Sequence, residues 1–402
     1  MKKINLLLIS AIYIILSGNI MAQTFTVYTT SEGLPDDFIQ GGIVVDQNNI
    51  VWVGTANGVA KFDGNSWQSY TTSDGLVDNY IKCIDVDINN NVWVGTEIGV
   101  SKYNGSTWTT YTSTDGLIYD EVKSIACDND GSVWFGTDYG LSHLDGTTWT
   151  TINEAGGLPS NLITCIHIDN TGNKWFGTME SGVIKYDGST YTTVSYAEGL
   201  VDSAITCITT DNNNNLMAGT FFGISVFNSS LTWTENILAS DGIYNNFIRD
   251  ILVSSAGVVW VAMTSPYITN DGGVSWNNGT SWVSYDIYNG ISNYQILQMA
   301  IDENSNIWVA TGLGVTKISN YTNSGIISDA GQPLCFPNPS NGTLYFNSMP
   351  LAVEIYDITG RQVYSGGLKS SLNLTNLTSG YYSIVVTKEN GETVREKLCI
   401  EK

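Results

Sequence analysis

"VWVGTEIGVSKYNGSTWTTYTSTDGL", Val92 to Leu117, decides the fold, because most of it returns 41 residues later as "VWFGTDYGLSHLDGTTWTTINEAGGL". The Trp-x-Gly-Thr element falls at Trp52, Trp93, Trp134 and Trp175, with looser copies at Met217, Trp260 and Trp308. A second marker keeps step: Gly33-Leu34, Gly75-Leu76, Gly116-Leu117, Gly157-Leu158, Gly199-Leu200, Gly242-Ile243 and Gly290-Ile291. Two independent markers with seven copies each, at a period of about 42, mean blades or a solenoid.

Each copy parses into four short strands. In the second, "YIKCIDVD" is one strand, "VWVGT" the next, "GVSKYNG" the third and "TWTTYT" the fourth. Asn104-Gly105, Asp63-Gly64, Asp145-Gly146 and Asp187-Gly188 supply the positive φ that tight hairpins need. No segment carries a sustained helical period, so helices should be nearly absent. The pattern predicts an all-β, seven-bladed β-propeller with four-stranded blades. The last copy has "GVTKIS" but no fourth strand, while an orphan strand, "TFTVYTT" (Thr24 to Thr30), precedes the first marker. That N-terminal strand is expected to complete the last blade and close the ring, leaving no exposed sheet edge. The repeated tryptophans are read as core anchors, not ligand-stacking groups.

Composition sets the outer bounds. Lys2 and Lys3, the apolar "INLLLISAIYIIL" and a small residue before Gln23 describe a cleaved secretory signal over residues 1–22, cut between Ala22 and Gln23. The formal net charge is -22. The segment from Pro333 onward is balanced, so the acidic excess lies in the repeats. Such a surface repels phosphate backbones, and nucleic acid is excluded as a partner. Cys83, Cys165 and Cys207 share one register in separate copies and are read as small buried hydrophobes. Cys335 and Cys399 are the only plausible disulfide pair.

"TSDGLVDNYIKCIDVDINNNVWVGTEIGVSKYNGSTW" resembles the two-component-regulator propeller repeat of periplasmic sensor regions in Bacteroidetes hybrid histidine kinases. The likeness runs from Thr24 to about Ser319 and implies the propeller fold. No transmembrane helix, kinase or regulator domain is read after it, so signalling is not expected to carry over. After the linker "SNYTNSGIISDAGQ", the tail resembles the type A C-terminal sorting domain of the type IX secretion system. The pieces that carry this are Pro337-Asn338-Pro339, Asp357 with Gly360-Arg361, Leu377 with Gly380-Tyr381-Tyr382, and Lys397-Leu398 with Lys402. That resemblance implies export through the periplasm to the outside of the outer membrane, contact with the secretion machinery, and secretion or display at the cell surface. Seven short strands in the tail suggest a small immunoglobulin-like sandwich. The expected domains are a signal (1–22), a propeller (23–319), a linker (320–332) and a sorting domain (333–402).

In a propeller the loops after the fourth and second strands open on the same mouth. The first set carries a ring of short polar residues: Asp36, Asp37, Asp78, Asn79, Asp120, Asn161, Asp202, Asn245, Asn246 and Asn293. Lys82, Lys123 and Arg249 recur just inside it. These residues either cap turns or form an acidic mouth that binds a glycan, a peptide or a hard cation. No cofactor is expected; a structural Ca²⁺ is the one ion so oxygen-rich a rim would suit. The sixth copy lengthens its second-to-third loop, with Tyr267 offering an aromatic face to a sugar. His143 and His167 sit in strands of different types, and no nucleophile elbow or phosphate-cradling loop is present. The reading is a monomeric, non-catalytic binding protein. Its alternatives are a carbohydrate-active hydrolase or lyase using mouth carboxylates, and a sensor working with a separate membrane partner.

Overall fold

The computed structural model describes residues 23–265, 271–277, 281–321, 335–336, 343–346, 351–357, 361–367, 371–387 and 393–400. The chain divides into two compact units, one up to Asn323 and one from Ser324. The first unit holds seven four-stranded antiparallel sheets, six of them in simple up-and-down order. Blade 2 is typical: Cys83–Val86 lines the axis, followed outward by Val92–Gly95, Val100–Tyr103 and Trp108–Tyr111. The helical content among the described residues is four short 3₁₀ turns such as Thr72–Asp74.

The ring closes as the sequence predicts. Thr24–Tyr28 lies antiparallel on Gly314–Ser319 as the outer strand of blade 7, with Thr24 opposite Ser319 and Tyr28 opposite Val315. Tyr28 also stacks on Trp308, ring centroids 5.6 Å apart. Residues separated by nearly the whole propeller therefore share one sheet.

Both sequence markers are packing devices. The tryptophans at 52, 93, 134, 175, 260 and 308 are all buried. In four blades the indole N–H donates to an aspartate in the hairpin between the first two strands: Trp52 to Asp46, Trp93 to Asp87, Trp175 to Asp169 and Trp308 to Asp302, at 2.9–3.0 Å. A lysine from the third strand covers the ring, as Lys102 does over Trp93 at 4.7 Å and Lys317 over Trp308 at 4.8 Å. This buries a charged aspartate with both a donor and a cation, which is what its desolvation demands. Blade 3 varies the theme. There Asp128 pairs with Lys174 at 2.6 Å, and Trp134 stacks on His143 instead.

The second marker joins neighbouring blades. Gly116 has φ +131°, and a Cβ there would come within 2.4 Å of the Trp149 ring on the next blade. Glycine is thus required for both conformation and clearance. The residue after each marker glycine, from Leu34 to Ile291, is buried between blades.

The described residues of the second unit form seven strands. Cys335–Phe336, Thr343–Phe346 and Ser371–Asn373 form one antiparallel sheet. Gln362–Gly366, Ala352–Asp357, Gly380–Thr387 and Thr393–Ile400 form the other, in that order. Leu372 of the first sheet shares a core with Val353, Ile355, Ile384 and Val386 of the second, so the two are packed face to face. Cys335 and Cys399 lie in different sheets, opposite Phe346 and Tyr381 respectively. Their side chains, and Ala22 of the expected cleavage site, lie outside the described residues.

Candidate functional site

Antiparallel order puts two sets of turns at one end of the ring: the hairpins between second and third strands, and the connections from each outer strand to the next inner one. Hydrogen bonds tie the two sets together. Gly58 N donates to Asn79 O, Gly140 N to Asn161 O, Gly182 N to Ser203 O and Gly314 N to Asp37 O, at 2.6–3.1 Å. The mouth is therefore a braced surface rather than a set of separate loops.

The predicted polar ring is present there, and one oxygen of each residue is committed to the local turn. The Oδ1 atoms of Asp37, Asn79, Asp120, Asn161 and Asn246 each accept a backbone N–H from the residue seven positions earlier, capping the turn before the Gly-Leu marker. Asp36, Asp202, Asn245 and Asn293 accept from the N–H two residues on, and Asp78 from that of its neighbour Asn79. These are the local Asx bonds that favour such residues in turns. Tyr267 lies outside the described residues.

The three basic residues line the bore, as predicted, but in different states. Lys82 sits between Glu121 and Glu97. Burial pulls its ammonium down, and the two carboxylates more than compensate, holding it above the ordinary lysine value. Lys123 pairs with Asp138 at 2.6 Å. Arg249 is exposed and has no ion pair or hydrogen bond among the described residues. All three open into an axial cavity of ≈ 840 Å³ walled by the seven inner strands.

Deeper in the bore, side chains satisfy the bare edge of the neighbouring inner strand. Asp85 Oδ2 accepts from Cys127 N, and Asp250 Oδ2 from Met299 N, both at 2.8 Å. Gln298 Oε1 does the same for Ile43 N at 2.9 Å. Burial pushes the Asp85 and Asp250 carboxyls up to about 6, against their backbone hydrogen bonds. It pushes the Cys83 and Cys165 thiols up to about 12. Thiols so protonated are poor nucleophiles. His167 is driven down to about 4 by burial and bonds Thr210 Oγ1 at 2.9 Å; His143 belongs to the Trp134 stack. No group of three metal-ligating side chains occurs among the described residues.

The mouth carries a second feature, absent from the sequence reading. In six blades the threonine of the Trp-x-Gly-Thr element, or its counterpart, is fully buried and donates its hydroxyl to a glycine carbonyl across the hairpin. The same oxygen accepts an N–H from the hairpin tip, as from Tyr139 and Phe222 at 3.0 Å. The tip side chain is thereby fixed outward. Ile98, Tyr139, Phe222 and Leu313 occupy this position at 53%, 56%, 59% and 54% exposure, and Met179 stands beside it in blade 4. Tyr119, Tyr196 and Tyr288 add exposed aromatic surface from the adjoining connections, and Tyr119 meets Tyr139 with centroids 4.4 Å apart. Away from the mouth the described residues of the ring expose Ile88, in a first-to-second hairpin, Trp233, at the start of the outer strand of blade 5, and Val27, on the closing strand. The signal was legible: the tip residues follow Gly-Thr as "EI", "DY", "ME" and "FF" and, in blade 7, follow Ala-Thr as "GL".

Residues 334–401 match the secretion system C-terminal sorting domain, and residues 33–57 and 116–139 match the two component regulator propeller. The chain thus carries propeller repeats of the regulator type followed by a sorting domain, and it is exported to the cell surface or secreted. Among solved structures it resembles a streptogramin B lyase at 14% identity and TM-score 0.60, over 74% of this chain and 97% of that one. It also resembles PorZ, an essential surface component of the type IX secretion system of Porphyromonas gingivalis, at 17% identity and TM-score 0.58. The extracellular domain of a putative one-component system from B. thetaiotaomicron matches at 17% identity and TM-score 0.59. The alignments cover 92% and 94% of this chain but only 60% and 58% of those two. At such identities the likeness concerns the fold. No curated protein matches the chain in sequence.

Proposed function

Taking an exported regulator-type propeller with a secretion sorting tail as the premise, we propose that the protein is a non-catalytic binding module. Its mouth face takes up an extracellular glycan or peptide. One observation carries this reading: most of the exposed apolar and aromatic side chains of the ring collect on that face, four of them on hairpin tips locked by buried threonines. Rigid aromatic anchors cost little entropy to bury and dominate recognition surfaces. A collection of apolar groups at one end of an otherwise acidic ring is the usual mark of an interaction site.

The non-catalytic half of the proposal is supported by the commitments of the polar groups. The mouth carboxylates cap turns, the bore carboxylates bond backbone N–H groups, and the thiols are held protonated by burial. The lyase likeness bears on the fold and adds no catalytic residue.

The test is binding of the secreted chain (residues 23–402) to glycan and peptide arrays, beside the double variant Tyr139→Ser, Phe222→Ser. Ligands captured by the parent and lost by the variant at an unchanged melting temperature support the mouth reading. Equal capture by both proteins, or turnover of a captured glycan, sinks it.

A further inference from the structure

We infer that the entrance of the bore contains a carboxylate subsite centred on Arg249, for ligands that carry the carboxylate on an apolar body; this rests on the mouth being the binding face. The inner strand of blade 6 pairs with its neighbour through a register shift between Ile248 and Asp250, which leaves Arg249 out of the ladder. Bulges of this kind re-aim a side chain, and here it faces the axial cavity.

The charge pattern around it is selective. Lys82 and Lys123 enter the same cavity and are neutralised by Glu97, Glu121 and Asp138. Arg249 is left without such a partner among the described residues. Its chain neighbour Asp250 feels the Arg249 charge but forms no ion pair with it, its Oδ1 being on Ile251 N at 3.0 Å and its Oδ2 on Met299 N at 2.8 Å. One blade back, Thr206 is displaced by an equivalent bulge, and its hydroxyl reaches only Cys207 Sγ, at 4.0 Å. A guanidinium fork without a partner among the described residues, and in the adjacent blade a hydroxyl held only by a 4.0 Å contact to sulfur, are donors suited to a planar oxyanion.

Phe221 and Met179 belong to the same cavity wall and give the ligand body an apolar seat. A chain of net charge -22 resists anions in general, and a dianion more than a monoanion. A monoanionic carboxylate whose apolar part is buried is the chemistry that satisfies all these conditions.

The experiment titrates the secreted chain with N-acetyl-L-phenylalanine and with its neutral isostere N-acetyl-L-phenylalaninamide, read by ligand-observed NMR. The acid should bind saturably and at least tenfold more tightly than the amide. Arg249→Gln should erase that preference. Lys185→Gln, which changes the net charge equally from its place over the Trp175 ring, should keep it. Failure of the acid to bind, equal binding of acid and amide, or a preference that survives Arg249→Gln overturns the subsite. If both compounds bind equally and Phe222→Ser abolishes both, the subsite falls while the mouth reading stands.

Discussion

Trp93 Nε1 donates to Asp87 Oδ2 at 3.0 Å, and the same carboxylate group receives Asn89 N and Asn91 N at 2.9 Å each through Oδ1. One buried aspartate thus holds the core indole and folds the hairpin that precedes it. Asp87→Ala should cost about 2–4 kcal/mol, since it strands a buried N–H and uncaps a turn. Blade 6 is the internal control: Ser254 replaces the aspartate, and Trp260 Nε1, packed edge-on by Tyr321, has no hydrogen-bond acceptor within normal distance among the described residues. Trp93→Phe should therefore lower the urea midpoint more than Trp260→Phe does. Equal losses would mean that the Asp-Trp bond contributes nothing beyond packing.

Ring closure rests on the single strand Thr24–Tyr28, so it can be weakened locally. Tyr28 touches Phe62, Trp67 and Trp308, with centroids 5.2–5.7 Å apart, across the seam between blades 7 and 1. Tyr28→Ala should cost about 3–5 kcal/mol by cavity formation. Deleting Thr24–Tyr28 should leave Gly314–Ser319 as an open edge and yield concentration-dependent oligomers in light scattering. A truncated chain that stays monodisperse and melts where the parent does would remove closure as a source of stability.

The blade count, the four-strand parse and the closing strand were legible because each rests on a period and a turn chemistry repeated seven times. The polar mouth ring was legible as positions. Whether Asp37 or Asn79 served a turn or a ligand could not be read from spacing, because both uses favour the same short side chains. The Asp-Trp-Lys stack was missed because its members come from a hairpin turn and two strands and meet only once the blade is folded. The rim was missed because Ile98, Tyr139 and Phe222 read as ordinary strand-end hydrophobes. Only the buried threonine beneath each tip turns them outward. Arg249 was noticed as a register position, but its lack of a partner depends on where Glu97, Glu121 and Asp138 reach.

Gly116 offers a sharper test of how neighbouring blades join. Gly157 holds the same marker position at φ +97°, yet a Cβ there meets nothing within 4 Å. Both glycines adopt a left-handed backbone, so alanine strains each by about 1 kcal/mol. At Gly116 the new methyl must also displace the Trp149 ring. Gly116→Ala should therefore lower the melting temperature clearly more than Gly157→Ala. Equal shifts would show the backbone conformation, and not the contact between blades, to be what the marker glycine protects.

Stability against pH separates the two kinds of buried ionisable group in the bore. Asp85 is raised to about 6 by burial, so between the usual carboxylate value and 6 the folded chain holds a proton that the unfolded chain has released. Its contribution is full below about 4 and is lost as pH rises through 6. His167, lowered to about 4 by burial, works in the opposite sense. Its contribution is full above about 6.5 and is lost as pH falls toward 4. Asp85→Asn should therefore gain on the parent by up to about 3 kcal/mol between pH 4 and pH 7.5. His167→Asn should gain on the parent in the other direction, as pH falls from 7 to 4. Thermal melts at the two ends of this range decide the matter. A variant whose profile runs parallel to that of the parent would mean the group titrates alike in both states, and so is not buried as the inner-strand geometry requires.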